Sequence, residues 1–277
     1  MGDFVTPNDV ISALAGSDNS GVGGRIRYNI PSFTTAAGGI YSSWMQANKY
    51  QGTPTAPTSA AYCTQTTVGS LGTFTDPGAG GTLRILGWDH YTGSSGNFMI
   101  YDRLSHMGGL SGTSVAEQTV NLDIATPAAG GRCLTTGADV EWFLEWYVAT
   151  GSTAVTATIK YTNQAGTQHQ TTTVSIPAST PAYRLIPITA LSGTDTSIEV
   201  VESVTLSAST LTAGNFGVTA GKRLSTGYTS AAVGINFDFV GTGMSKVGSD
   251  ACLWIVDVAY TTTSGLWVGY IILGGVA

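Results

Sequence analysis

Residues 140–149 read Val-Glu-Trp-Phe-Leu-Glu-Trp-Tyr-Val-Ala. Val140, Trp142, Leu144, Trp146 and Val148 fall on one side of an extended chain; Glu141, Phe143, Glu145 and Tyr147 fall on the other. Alternation with period two marks a half-buried strand, because successive side chains point to opposite faces. Val155, Ala157, Ile159 and Tyr161 repeat the pattern against Thr156, Thr158 and Lys160. Asn163-Gln164-Ala165-Gly166 has turn chemistry, and residues 167–176 return as a Thr-rich strand. The expectation is a three-stranded meander with its Glu face in water and Glu145 beside Lys160 on the next strand.

Toward the C-terminus the same reasoning predicts more strands. Residues 184–188 form a short one, and Pro181 and Pro187 favour an edge position for it. Strands follow at 198–206 and 215–219, then at Val233, Ile235, Phe237 and Phe239 and at Cys252, Trp254, Val256, Val258 and Tyr260. Leu266 to Leu273 is almost continuously apolar, the pattern of a strand buried on both faces. Toward the N-terminus, strands are expected at 25–33, 83–88 and 98–101, and residues 51–60 are a Pro/Thr/Ala-rich extended segment. Thr6-Pro7-Asn8-Asp9 is a helix start, with a capping Thr, a Pro at the first position and an early acid. That helix carries Val10, Ile11 and Leu14 and stops at Gly16. The fold expected is mainly β: an antiparallel β-sandwich or jelly roll with an N-terminal arm bearing a short helix. The division expected is an arm and extended region over 1–80 and a sandwich over 81–277.

The 277 residues are 42% hydrophobic and only 10% charged, far below the quarter of an average domain. Such a surface is Thr/Ser-rich and neutral, or is covered by other subunits. A net charge of -6 without a basic stripe speaks against a nucleic-acid partner. No run of 18 apolar residues is present, so no membrane partner is expected. Met1-Gly2-Asp3-Phe4 does not look like the start of a secretory signal. Cys63, Cys133 and Cys252 are odd in number and lack CxxC spacing, which reads as three buried free thiols made in a reducing cytoplasm.

The candidates for chemistry do not assemble a site in sequence. Glu141 and Glu145 share a strand face but lie about 13 Å apart at about 3.3 Å per residue. Glycosidase carboxylates stand about 5.5 Å apart in retaining enzymes and up to about 9.5 Å in inverting ones. Asp102, His106 and Ser111 lack a nucleophile elbow. His90, His106 and His169 lack metal-ligand spacing, so neither a metal nor a cofactor is expected. Arg103 and His106 are expected to bond across a loop or a subunit seam. Trp44, Trp88 and Trp267 are the aromatics to watch for a sugar-binding groove.

The segment Asp102-Arg103-Leu104-Ser105-His106-Met107-Gly108-Gly109-Leu110-Ser111-Gly112-Thr113 resembles the opening motif of a group of tailed-phage and prophage structural proteins. Tyr161-Thr162-Asn163-Gln164-Ala165-Gly166-Thr167 is similar to their turn motif. Residues 201–206 (VESVTL) and 212–219 (TAGNFGVT) are similar to their closing motifs. The resemblance spans residues 101–222 and implies a place in the phage particle. The function expected is a non-enzymatic capsid decoration, or cement, protein on the outer surface of the virion, made in the host bacterial cytoplasm. Its expected partners are the major capsid protein and itself, as a homotrimer. Val10, Ile11, Leu14, Asp102, Arg103 and His106 are the expected subunit or capsid contacts. The alternative is a tail, baseplate or fibre-associated module that binds host-surface glycans.

Overall fold

The structure, a computed structural model, describes residues 23–46, 52, 54–76, 82–189, 191–211 and 214–276. The expected N-terminal helix, with Val10, Ile11 and Leu14, lies outside these residues.

In chain order the strands are β1 (Gly23–Ile30), β2 (Gly39–Ser42), β3 (Ala61–Tyr62), β4 (Thr82–Thr92), β5 (Gly96–Leu110) and β6 (Gln118–Asp123). A five-residue helix, α1 (Ala125–Ala129), precedes β7 (Glu141–Trp146), β8 (Val155–Asn163), β9 (Gln170–Ile176) and β10 (Arg184–Pro187). Then come β11 (Ile198–Leu206), β12 (Phe216–Thr229), β13 (Val233–Phe237), β14 (Lys246–Val247), β15 (Leu253–Ala259) and β16 (Trp267–Val276). All pairings among them are antiparallel.

The expected antiparallel β body is present, arranged as two sheets on either side of a closed barrel. The neighbour order β12-β7-β10-β2-β15-β5 returns to its start, because β5 also pairs with β12 along most of its length. Closure removes the free edges that an open sheet would expose. A five-stranded sheet (β1-β16-β4-β13, with β14 on β4) covers one side, and a four-stranded sheet (β6-β11-β8-β9) covers another.

The long strand β5 serves all three layers by alternation. Phe98 and Ile100 join Trp88, Trp267, Ile271 and Ile255 beneath the five-stranded sheet. Leu104 joins Trp142, Leu144, Trp146, Ile159 and Val204 beneath the four-stranded sheet. Met99 and Tyr101 turn inward to Phe143, Trp254 and Val256 in the lumen. β5 and β12 stay paired over this length through three register shifts, two with the extra residue on β5 and one on β12, and such bulges let a long strand bend. Gly217 lets the wall close: a Cβ there would sit 2.2 Å from the Met107 carbonyl oxygen and 2.5 Å from Tyr147 Oη.

Four expectations change. The three-strand meander is divided: β7 is a barrel stave, whereas β8 and β9 form a hairpin in the facing sheet. Alternation gives each strand its period but not its neighbours. The turn itself is as read: Asn163 Oδ1 accepts from the Ala165 and Thr167 amides at 3.0 Å, and Gly166 takes φ 73°. β10 is an internal stave between β2 and β7, not an edge. Pro187 is tolerated because it lies beyond the β2 pairing, which ends at Leu185. β16 buries Trp267, Ile271 and Leu273 but leaves Val268, Tyr270 and Ile272 half-buried on its other face. Described residues before 81 are woven into the body: β1 pairs with β16, β2 is a barrel stave, and Trp44 and Cys63 are buried in the lumen cluster.

One buried acid stands outside this apolar scheme. Asp257, paired with Phe98 and Tyr41, is 1% exposed, and its Oδ1 has no hydrogen-bond partner among the described residues. Gly96 makes room for it, since a Cβ there would lie 2.2 Å from that oxygen. Burial pushes its carboxyl up to about 8. The unfolded chain releases this proton near pH 3.9. Between the two values the folded state holds the extra proton, so stability falls as pH rises, by at most about 1.4 kcal/mol per unit. Urea unfolding at pH 5 and pH 8.5 should show the wild type losing more stability across that interval than Asp257→Asn. Equal losses would contradict a protonated Asp257.

Candidate functional site

On the Glu face of β7 only Glu141, at the start of the strand, meets water, with 40% of its side chain exposed; Phe143 and Glu145 do not. These two point into the barrel, where they are 1% and 0% exposed. The expected neighbour of Glu145, Lys160, lies on a different sheet and pairs with Glu117 at 2.6 Å. The partner of Glu145 is Arg103, which β5 turns into the same lumen. Arg103 Nη2 donates to Glu145 Oε2 at 2.5 Å and to Thr219 Oγ1 at 3.0 Å, and lies 3.0 Å from His106 Nδ1. Thr219 in turn donates to Glu145 Oε2 at 2.8 Å.

The rest of the guanidinium meets aromatic faces. Arg103 Cζ lies 4.2 Å from the Trp44 ring centre and 4.8 Å from that of Trp254. Cation–π contacts gain strength when desolvated, and Nε and Nη1 have no hydrogen-bond acceptor among the described residues. Burial by itself raises the Glu145 carboxyl. The Arg103 charge and hydrogen bond, with help from Ser42 and Thr219, outweigh it and hold the group below the usual carboxylate range.

A second ion pair braces the wall. Asp102 takes Arg132 with both carboxylate oxygens, at 2.9 Å from Nε and through a shorter contact from Nη2. The Cys252 amide also donates to Asp102, at 2.8 Å. Arg132 Nη1 reaches the Cys63 carbonyl at 2.6 Å, and Nη2 the Arg103 carbonyl at 3.0 Å. This fork ties the segments before β15 and after β3 to the same two residues of β5.

The expected contact residues Asp102, Arg103 and His106 are therefore 1%, 0% and 4% exposed, with partners inside the chain. They sit within a strand, because β5 continues to Leu110. The sketched triad is not brought together: Asp102 faces Arg132, His106 faces Arg103, and Ser111 Oγ lies against Thr113 Oγ1. His90 and His169 are elsewhere, bonded to Tyr28 and Glu202. Among the described residues no group of three His, Cys, Asp or Glu converges as a metal would require. Cys63, Cys133 and Cys252 are buried and unpaired. Trp44, Trp88 and Trp267 are all within 1% of complete burial, so none of them lines a surface groove.

What this arrangement does chemically is lock a shape. Arg103, Glu145, Thr219 and His106 come from β5, β7 and β12, and their bonds form only when these staves are in register.

No protein-family model matches the chain, and no curated protein matches it. Among solved structures, it is similar to the VP2 subviral particle of infectious bursal disease virus at 10% identity and TM-score 0.20, covering 98% of this chain and 86% of that one. The Gx strain of the same virus gives 9% identity and TM-score 0.19, covering 97% and 86%. Scores this low carry no argument about the fold or role of this chain.

Removing one partner of a buried pair strands the other, at a cost of about 3–5 kcal/mol. Arg103→Met and Glu145→Leu should each destabilise by about that amount in chemical denaturation, and the double variant should regain most of the loss. Single variants within about 0.5 kcal/mol of wild type would contradict a locking role.

Proposed function

We propose that this chain is a non-enzymatic structural protein of a tailed-phage particle, a decoration protein that clamps neighbouring major capsid proteins on the outer shell as a homotrimer. The observation that carries the reading is the resemblance of residues 101–222 to phage structural proteins. The geometry is in keeping with it. The motif residues Asp102, Arg103 and His106 are buried and bonded within the chain, which supports a framework role for the motif. Low charge, 10% of residues, suits a surface covered by neighbouring subunits. Three-fold positions of an icosahedral shell offer the seat for a trimer. The mechanism is mass action: a protein that binds only the assembled shell stabilises it.

Direct contact with shell or partner falls to residues other than the buried trio. Residues 1–22, with Val10, Ile11 and Leu14, are the first segment to test. Shells assembled without this protein should take up the full chain on co-sedimentation and then resist heat better. A variant lacking residues 1–22 should bind at least about tenfold more weakly, a loss of about 1.4 kcal/mol, while keeping its β circular-dichroism spectrum. Failure of the full chain to bind any shell would overturn the decoration reading.

A further inference from the structure

The outer face of the five-stranded sheet carries side chains that the barrel does not use. Register places them in two rows across β1, β16, β4 and β13. One row is Arg27, Tyr270, Asp89 and Asn236; the next is Asn29, Val268, Tyr91 and Gly234. Together they line an open groove of about 1180 Å³.

The groove is pre-organised. Asn236 Nδ2 donates to Asp89 Oδ1, fixing an amide beside a carboxylate. Tyr91 is 44% exposed, and Gly234 opposite it leaves that ring uncrowded: a Cβ there would meet nothing nearer than 4.0 Å. Beneath the rows, Tyr28 Oη accepts from Trp88 Nε1 at 2.9 Å and lies 2.7 Å from His90 Nδ1. Burial drops His90 to about 3, so this support stays uncharged.

We propose that this groove binds a neutral oligosaccharide. A sugar ring offers an apolar C–H face and neighbouring hydroxyls, each both donor and acceptor. Tyr91 supplies a flat, amphipathic platform for the first. Asp89, Asn236, Asn29 and Arg27 supply acceptors and donors for the second. Charge selects among ligands. Arg27 and Asp89 offset each other, and the Arg25 guanidinium already lies over Tyr270, 4.0 Å from its ring centre. Nothing is left to neutralise a run of phosphates. The floor is largely apolar, with the Tyr270 and Tyr91 rings and Val268 at its middle, and it is edged by Arg27, Asn29, Asp89 and Asn236, so apolar face and hydroxyl partners alternate over the span of a sugar ring. The site is independent of where the protein sits in a particle, so its test and the shell-binding test can fail separately.

The full-length chain should be applied to a printed array of neutral and anionic oligosaccharides, and the strongest neutral ligand carried into titration calorimetry. At least one neutral saccharide should bind. Tyr91→Ala and Asn236→Ala should each weaken it about tenfold or more, the size of a lost buried hydrogen bond or ring contact. Leu211→Ala, at a 66% exposed position on the loop before β12, should bind as wild type. Thermal melts should show all three variants folded. Absence of any neutral ligand, binding confined to anionic saccharides, or wild-type affinity in both groove variants would overturn the proposal.

Discussion

The ion pair of Arg103 and Glu145 inside the closed barrel is the constraint on which the other layers rest. Two charges leave water at a cost of several kcal/mol each, and only good geometry offsets it. Here the geometry requires β5 and β7 to stand on either side of β12, with Thr219 of β12 bonded to both charged groups. A slip of one residue in β5 or β7 would turn a charge out of the lumen, and a slip in β12 would carry Thr219 away from both charges. The pair is thus better understood as fixing register than as adding net stability.

With register fixed, the outer faces of the same staves become two apolar platforms. Phe98, Ile100, Leu253 and Ile255 receive the five-stranded sheet, and Leu104, Trp142, Leu144 and Phe216 receive the four-stranded one. Each platform is continuous only because the staves beneath it are aligned. The fork of Arg132 on Asp102 extends the same logic to the segments around Cys63 and Cys252. The result is a body whose charged interior is spent on its own shape, which suits a protein used as a part.

Much of the strand content was legible. Alternation at 140–148 and 252–260 placed β7 and β15, the strand read at 198–206 is β11, and the Asn163–Gly166 turn was readable from its side chains. The second face of β7 was not. Period two separates two faces but does not say whether the other face meets water or a lumen. Phe143 and Tyr147 sharing that face with Glu141 and Glu145 were the available hint. Asp102, Arg103 and His106 stood out in a charge-poor chain, but their partners Arg132, Glu145 and Thr219 lie 29 or more residues away in sequence, and nothing local points to them. The groove was further out of reach. Arg27, Asp89, Asn236 and Tyr270 form one row only through the register of four strands distant in the chain. Attention to tryptophan also misled, since the tryptophans fill the core and the exposed rings are tyrosines such as Tyr91, Tyr228 and Tyr260.

The most direct measurement of the central claim is the copy number of this chain relative to the major capsid protein in purified particles. A structural role on the outer shell predicts an amount comparable to the major shell protein, distributed over the head. A handful of copies would move the protein to a tail or unique vertex and contradict the decoration role. Absence from the particle would contradict a virion role altogether.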